Sequence, residues 1–129
     1  MDKYIGVPFV DGGRTLEGAD CYGLLKLFYK NEYNIEIPEI RILPNQPRRA
    51  WARFLVEISE NWEETLDRKK GVVVVMAMDE NHPKLVTHFG VMIDDKRVLH
   101  TLSKTESHII ELRDSRVKPF IKGYYRWCY

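Results

Sequence analysis

"THFGVMIDDKRVLHTL", residues 87–102, reads as two β-strands joined by a tight polar turn: "THFGVMI" and "RVLHTL" flank "DDK". Side chains alternate between the faces of a strand, so the parity of the loop decides which residues share a face. With a loop of Asp94, Asp95 and Lys96, Ile93 pairs with Arg97 and His100 falls opposite Gly90. His88 and His100 then point the same way as diagonal neighbours, with Cα atoms about 7–8 Å apart. Gly90, lacking a side chain, is expected to leave the space between the rings open. A two-residue loop would send the histidines to opposite faces, but three-residue hairpin loops are common.

Outward from this hairpin, "VVVVMAM" (72–78), "HIIEL" (108–112) and a segment around "GYYRWCY" (123–129) carry further strand patterns. The unbroken valines suggest a strand covered on both faces. The first half of the chain has helical spacing instead. Leu24, Leu25 and Phe28 follow Cys21 at +3, +4 and +7, placing Cys21 on the apolar face of a first helix near its N-terminus, with Asp20 or Gly18 as cap. "NIEIPEIRILPNQP" (34–47) is too rich in proline for a helix and reads as an extended connection. Pro47 opens a second helix, with Trp51, Phe54, Leu55, Ile58 and Trp62 on one face and Arg48, Arg49, Arg53 and Glu57 largely off it. Helices first and adjacent strands after define an α+β fold with a mostly antiparallel sheet.

The chain has 129 residues, one domain's worth, with 44% hydrophobic and 30% charged residues. A net charge of +1 suggests no nucleic-acid partner. No apolar run reaches membrane-spanning length, so no membrane insertion is expected. "MDKYIGVPFV" lacks the basic start and apolar stretch of a secretory signal, and synthesis in the cytosol is the expectation. Two cysteines, Cys21 and Cys128, form no disulfide framework and match no zinc motif.

Cys21 admits two readings. As one member of an apolar stripe it is a small hydrophobe, and this fragment alone favours that reading. As a nucleophile it would draw on a helix N-terminus and a neighbouring imidazolium to lower its pKa, with Gly18 and Gly23 letting a substrate backbone approach. Its base would come from His82, His88, His100 or His108. His82 sits in the polar loop "DENHPK" and His108 opens a strand where it is expected to be exposed, whereas His88 and His100 lie among apolar residues on paired strands. An activated Cys21 would be alkylated faster than Cys128, whose apolar setting in "RWCY" suggests a structural role.

The ordered set "GVPFVDGGRTLEGADCYGLL", "KKGVVVVM", "HFGVMIDDKRVLHTL" and "GYYRW" resembles the NlpC-type papain-like cysteine peptidases, over most of the chain. The opening "GVPFVDGGR" and the aromatic after the cysteine resemble more narrowly the members found in phage tail-assembly and tail-tip proteins. The resemblance implies a papain-like core with Cys21 as nucleophile, His88 as general base and His100 orienting His88, with no metal or cofactor. It implies a peptidoglycan stem peptide as substrate, typically cut between D-γ-glutamyl and a diamino acid, and phage tail proteins as partners, with the chain incorporated in the tail. Phe9, Asp20 and Tyr22, which flank the nucleophile in the matched motif, are its implied substrate contacts. There are three departures: Phe9 stands where many members carry a tyrosine, Tyr22 replaces a common serine, and the Asp usual before the central strand is absent from "KKGVVVVM". They bear on specificity and rate. A structural tail-assembly module that keeps the fold is the alternative; a host wall-remodelling amidase is disfavoured by the missing export signal.

Overall fold

The computed structural model describes residues 2–40 and 47–129. A small hairpin, β1 (Arg14–Thr15) and β2 (Gly18–Ala19), leads into α1 (Cys21–Tyr33). Then come α2 (Pro47–Asn61), β3 (Trp62–Glu64), β4 (Val73–Met76), β5 (His88–Met92), β6 (Arg97–His100), β7 (His108–Glu111) and β8 (Ile121–Trp127). The last six strands form one sheet in the order β3-β8-β4-β5-β6-β7, with every neighbouring pair antiparallel. The fold is thus α+β with helices preceding an antiparallel sheet, as the sequence patterns require.

The valine run lies in the middle of this sheet, and both of its faces are covered. Val73 and Val75 point into a core shared with Leu24, Leu25 and Phe28 of α1 and with Phe89, Val91 and Leu99. Val72, Val74 and Met76 face the other way, into a second core with Met92, Val98, Leu112 and Val117. A strand buried on both faces has no polar side to alternate with, which is why its sequence is continuous valine.

Helix α1 starts at Cys21 because Asp20 caps it: the Asp20 carboxylate accepts from the Gly23 N–H at 2.8 Å. It ends at Asn34, which takes a left-handed conformation, φ 55°, and donates its N–H to Lys30 O. The connection from Ile35 to Ile40 has no regular structure, and Ile37 and Ile40 are buried. The rest of the expected extended segment, residues 41–46, lies outside the described residues, as do the side chains of Trp51, Leu55 and Ile58 on the expected apolar face of α2.

Two expectations about α2 need correcting. Trp62 opens β3, pairing with Trp127 of β8, instead of closing the helix face. Glu57, expected largely off the apolar face, is buried: its carboxylate accepts from the Trp62 indole N–H at 3.1 Å and the Asn61 amide at 2.7 Å. A short strand directly after a helix leaves the hydrophobic period nearly unbroken, and the helix template absorbs its first residue.

The β5–β6 hairpin has the register of the odd loop. Val91 pairs with Leu99 and Met92 with Val98, and the Ile93 N–H donates to Arg97 O across Asp94, Asp95 and Lys96. The Asp94 carboxylate closes the turn by accepting from the N–H groups of Lys96 and Arg97. Gly90, however, leaves no open space. A Cβ there would meet Val98 Cγ2 at 2.6 Å, so the missing side chain admits the neighbouring strand's methyl.

Candidate active site

His88 begins β5 and His100 ends β6, and their rings meet on one face of the sheet with His88 Nε2 2.9 Å from His100 Nδ1. Both side chains are buried. His108, expected to be exposed, is half-buried instead. It stands directly opposite His100 in the β6–β7 register, with Nε2 2.9 Å from His100 Nε2. Its other ring nitrogen donates to Glu106 O at 3.0 Å. The same parity argument reveals it in sequence: "TLSKTES", residues 101–107, also puts an odd number of residues between two histidines. His82 stays apart, in a loop with Asp79 at 3.0 Å.

Cys21 is the first residue of α1, which packs against β5, and its thiol accepts from the backbone N–H of Phe89, the residue after His88; among the described residues no hydrogen bond joins the thiol to His88 itself. The sulfur is buried. Burial and the Asp20 carboxylate push its pKa up to about 12, against hydrogen bonding from the backbone N–H of Phe89 and Tyr22 and the attraction of the Arg14 guanidinium. Burial, followed by the charges of His100 and His108, pushes His88 down to about 3, and burial with His108 and Arg116 pushes His100 down to about 4. The resting site therefore holds Cys21 as a neutral thiol and His88 and His100 as neutral imidazoles, in place of the lowered thiol pKa expected from a helix N-terminus.

The second cysteine is also corrected: Cys128 is exposed, beyond the end of β8. The expected order of alkylation is accordingly reversed. Limiting iodoacetamide at neutral pH should modify Cys128 well before Cys21 in the folded chain, with the two rates converging in denaturant; peptide mass spectrometry reads both sites. Faster labelling of Cys21 would show a far more open and ionised thiol than this geometry holds.

The segment before α1 is clamped onto the helix start. Asp20 accepts from Gly12 N–H at 3.0 Å and from Arg14 Nη1 at 2.7 Å, besides capping the helix. Arg14 also reaches Glu39 and Ile40 O, joining the hairpin to the connection that follows α1. The sequence signal for Arg14 is its place after two glycines and before the capping aspartate. Asp20, one of the three implied substrate contacts, is thus buried and occupied by its own chain. Tyr22, another, is fully buried, its ring edge-on to Phe89 and its hydroxyl donating to Pro38 O at 2.6 Å. It offers no surface to a ligand in this conformation. Phe9 is half-buried on the strap formed by residues 6–9, its N–H bonded to Thr105 O at 3.1 Å.

The glycines around Cys21 serve this clamp. A Cβ on Gly23 would stand 2.0 Å from Gly13 O, and one on Gly18 would stand 2.5 Å from Val10 Cγ2. The close approach belongs to the chain's own loop, whereas a substrate backbone had been expected there. Gly23→Ala must push the loop off the helix start and should cost about 1–3 kcal/mol, read as a lowered urea midpoint with unchanged far-ultraviolet circular dichroism. An unshifted midpoint would mean that the loop moves freely.

Among the described residues no group of three or more His, Cys, Asp or Glu side chains is arranged to hold a metal ion, and no helix is long and apolar enough to cross a membrane.

A helix-borne cysteine packed on an antiparallel sheet, with two histidines on the adjoining hairpin, defines a papain-like α+β architecture. The NlpC/P60 family model matches residues 6–126, and the chain belongs to that family. Solved structures agree on the fold. The NlpC/p60 domain of the peptidoglycan hydrolase SagA superposes with a TM-score of 0.62 at 16% identity, covering 96% of this chain and 89% of that one. An NlpC/P60 family protein from Bacillus cereus gives 0.67 at 24% identity, over 98% and 37% of the two chains. NlpC2 from Trichomonas vaginalis gives 0.70 at 16%, over 99% and 44%. This chain therefore spans less than half the length of the last two. No curated protein sequence matches it.

Proposed function

We propose that the chain is a cysteine peptidase that hydrolyses an amide bond in the peptide stem of bacterial peptidoglycan. The observation that carries the reading is the placement of Cys21 at the start of α1 against β5, where His88 is held through Nε2 by His100. With Nε2 engaged, Nδ1 is the nitrogen left to serve the thiol. In the reaction His88 Nδ1 takes the Cys21 proton as Sγ attacks the carbonyl carbon, and the uncapped backbone N–H of Cys21 donates to the developing oxyanion. The tetrahedral intermediate collapses as His88 returns the proton to the leaving amine, giving a thioester. Water, deprotonated by the same nitrogen, hydrolyses the thioester and restores the thiol. Because burial disfavours a resting thiolate–imidazolium pair, proton transfer accompanies attack instead of preceding it.

The bond between D-γ-glutamyl and the diamino acid, and a place in a phage or prophage tail that opens the wall locally, are the finer parts of this proposal. They rest on the motif set around Cys21 and on the opening "GVPFVDGGR", with the tail proteins as partners and the assembled tail as the site of action. The buried thiol favours a second reading, a tail-assembly module that retains the fold without hydrolysis. Incubation with diaminopimelate-type and lysine-type peptidoglycan, followed by mass spectrometry of the released muropeptides, separates them: new amino termini on stem fragments support the peptidase, and intact stems on both substrates favour the module.

A further inference from the structure

We propose that His108 is a positioning residue which, acting through His100, fixes the tautomer of His88 so that Nδ1 carries the free lone pair. The inference rests on the peptidase reading for its consequence but on hydrogen-bond logic for its content. A backbone carbonyl only accepts, so His108 Nδ1 must carry the proton it gives to Glu106 O, 3.0 Å away. In a neutral ring this makes His108 Nε2 an acceptor. His100 Nε2, 2.9 Å away, must then be the donor, which leaves His100 Nδ1 as an acceptor. His88 Nε2, 2.9 Å from that atom, must donate in turn. With the three rings neutral, each has one proton to place, and the choice at Glu106 propagates through all of them. The result is the arrangement that a base for the Cys21 thiol requires.

The rings are buried or half-buried, and burial holds His88 and His100 neutral over the physiological range, which keeps the one-proton count valid for those two. The other titratable or charged groups near His100 are Arg116, which is paired with Asp114 at 2.8 Å, and the neighbouring histidines. The anchor is itself held. The N-terminal strap zips onto the β6–β7 loop through Gly6 N–H to Ser107 O, Ser107 N–H to Val7 O and Phe9 N–H to Thr105 O. The Ser107 hydroxyl, buried beneath, accepts from Val7 N–H at 2.8 Å and donates to Tyr4 O. These bonds on either side of Glu106 fix where its carbonyl points. Residues nearly a hundred positions apart in sequence thus set the protonation pattern of the candidate base.

Without the acceptor at His108, His100 is free to carry its proton on Nδ1 and donate to His88 Nε2, which moves the His88 proton to Nδ1, the wrong nitrogen. His108→Phe removes the acceptor and keeps a ring; His108→Gln restores an acceptor oxygen. Long-range 15N–1H correlation spectra of the parent chain at neutral pH should show Nε2–H tautomers for His88 and His100 and an Nδ1–H tautomer for His108. In His108→Phe the single tautomers of His88 and His100 should be lost and kcat on peptidoglycan should fall at least 10-fold with KM unchanged, while His108→Gln should keep both the tautomers and a rate within about 3-fold of the parent. An Nδ1–H tautomer at His88 in the parent chain, or a His108→Phe variant with unaltered tautomers and kcat, would overturn the proposal. The expected tautomers in a parent chain that cuts no peptidoglycan would leave the relay standing and count against the peptidase reading.

Discussion

Cys21→Ala is expected to fold as the parent chain does and to lose peptidoglycan hydrolysis by at least about 10³-fold, since the other thiol, Cys128, lies beyond the end of β8, a strand that does not pair with the one carrying His88. The replacement removes a single sulfur from a buried helix position and should cost no more than about 1 kcal/mol. Stability and activity therefore separate cleanly. His100→Ala should behave differently: His88 keeps its ring and Nδ1, but its Nε2–H is left buried without an acceptor. That costs about 1–3 kcal/mol of stability, and a residual rate survives because the base is present but poorly oriented. The measurements are thermal midpoints for both variants and initial rates of muropeptide release. For the proposed place in a phage or prophage tail, Cys21→Ala particles should assemble complete tails and deliver poorly through an intact wall. Fully infectious Cys21→Ala particles, together with a parent chain inactive on both peptidoglycan chemotypes, would transfer the assignment to the assembly module.

The parts of this site that were legible in sequence are those governed by local periodicity. Strand alternation and an odd loop bring His88 and His100 together, and the helical spacing of Cys21, Leu24, Leu25 and Phe28 places the thiol at a helix start against the sheet. These rules act over a few residues, and nothing distant reverses them. The misread features all depend on partners far away in the chain. Cys128 lies among aromatics in sequence, yet the strand ends before it and leaves it in solvent. Glu57 reads as lying off the apolar face until Trp62 brings its indole N–H to the carboxylate. Gly18 and Gly23 signal close approach, but the identity of what approaches, the loop at Val10 and Gly13, is not a local property. The thiol pKa is the sharpest case. A helix N-terminus lowers it and burial raises it, and only the packing of α1 on the sheet shows that burial wins.

That burial carries a second large consequence, in acid. An unfolded chain protonates His88 and His100 near pH 6.5, whereas the native chain resists until about 3 and about 4, because burial, the neighbouring histidines and Arg116 oppose the charge. Both native pKa values are depressed, so their contribution to stability is fully present above about pH 6.5. It is lost as the pH falls from there through the native values, where the unfolded chain binds protons that the native chain refuses. Each histidine removes about 1.4 kcal/mol per pH unit within this window, and the two together about 2.7. Against a total of about 5–15 kcal/mol for a domain, two units of acidification should remove a large share of the stability. The carboxylates whose pKa is lowered, such as Asp94 and Asp114, lose their contribution only at lower pH, below the ordinary carboxylate range. Urea titrations at half-unit intervals between pH 7 and 4.5 should show unfolding coupled to the uptake of about two protons from these sites. His88→Gln should lower the coupling by one. A free energy flat across that range would mean that the imidazoles reach solvent, and with it the neutral, buried site proposed for Cys21 and His88 would be lost.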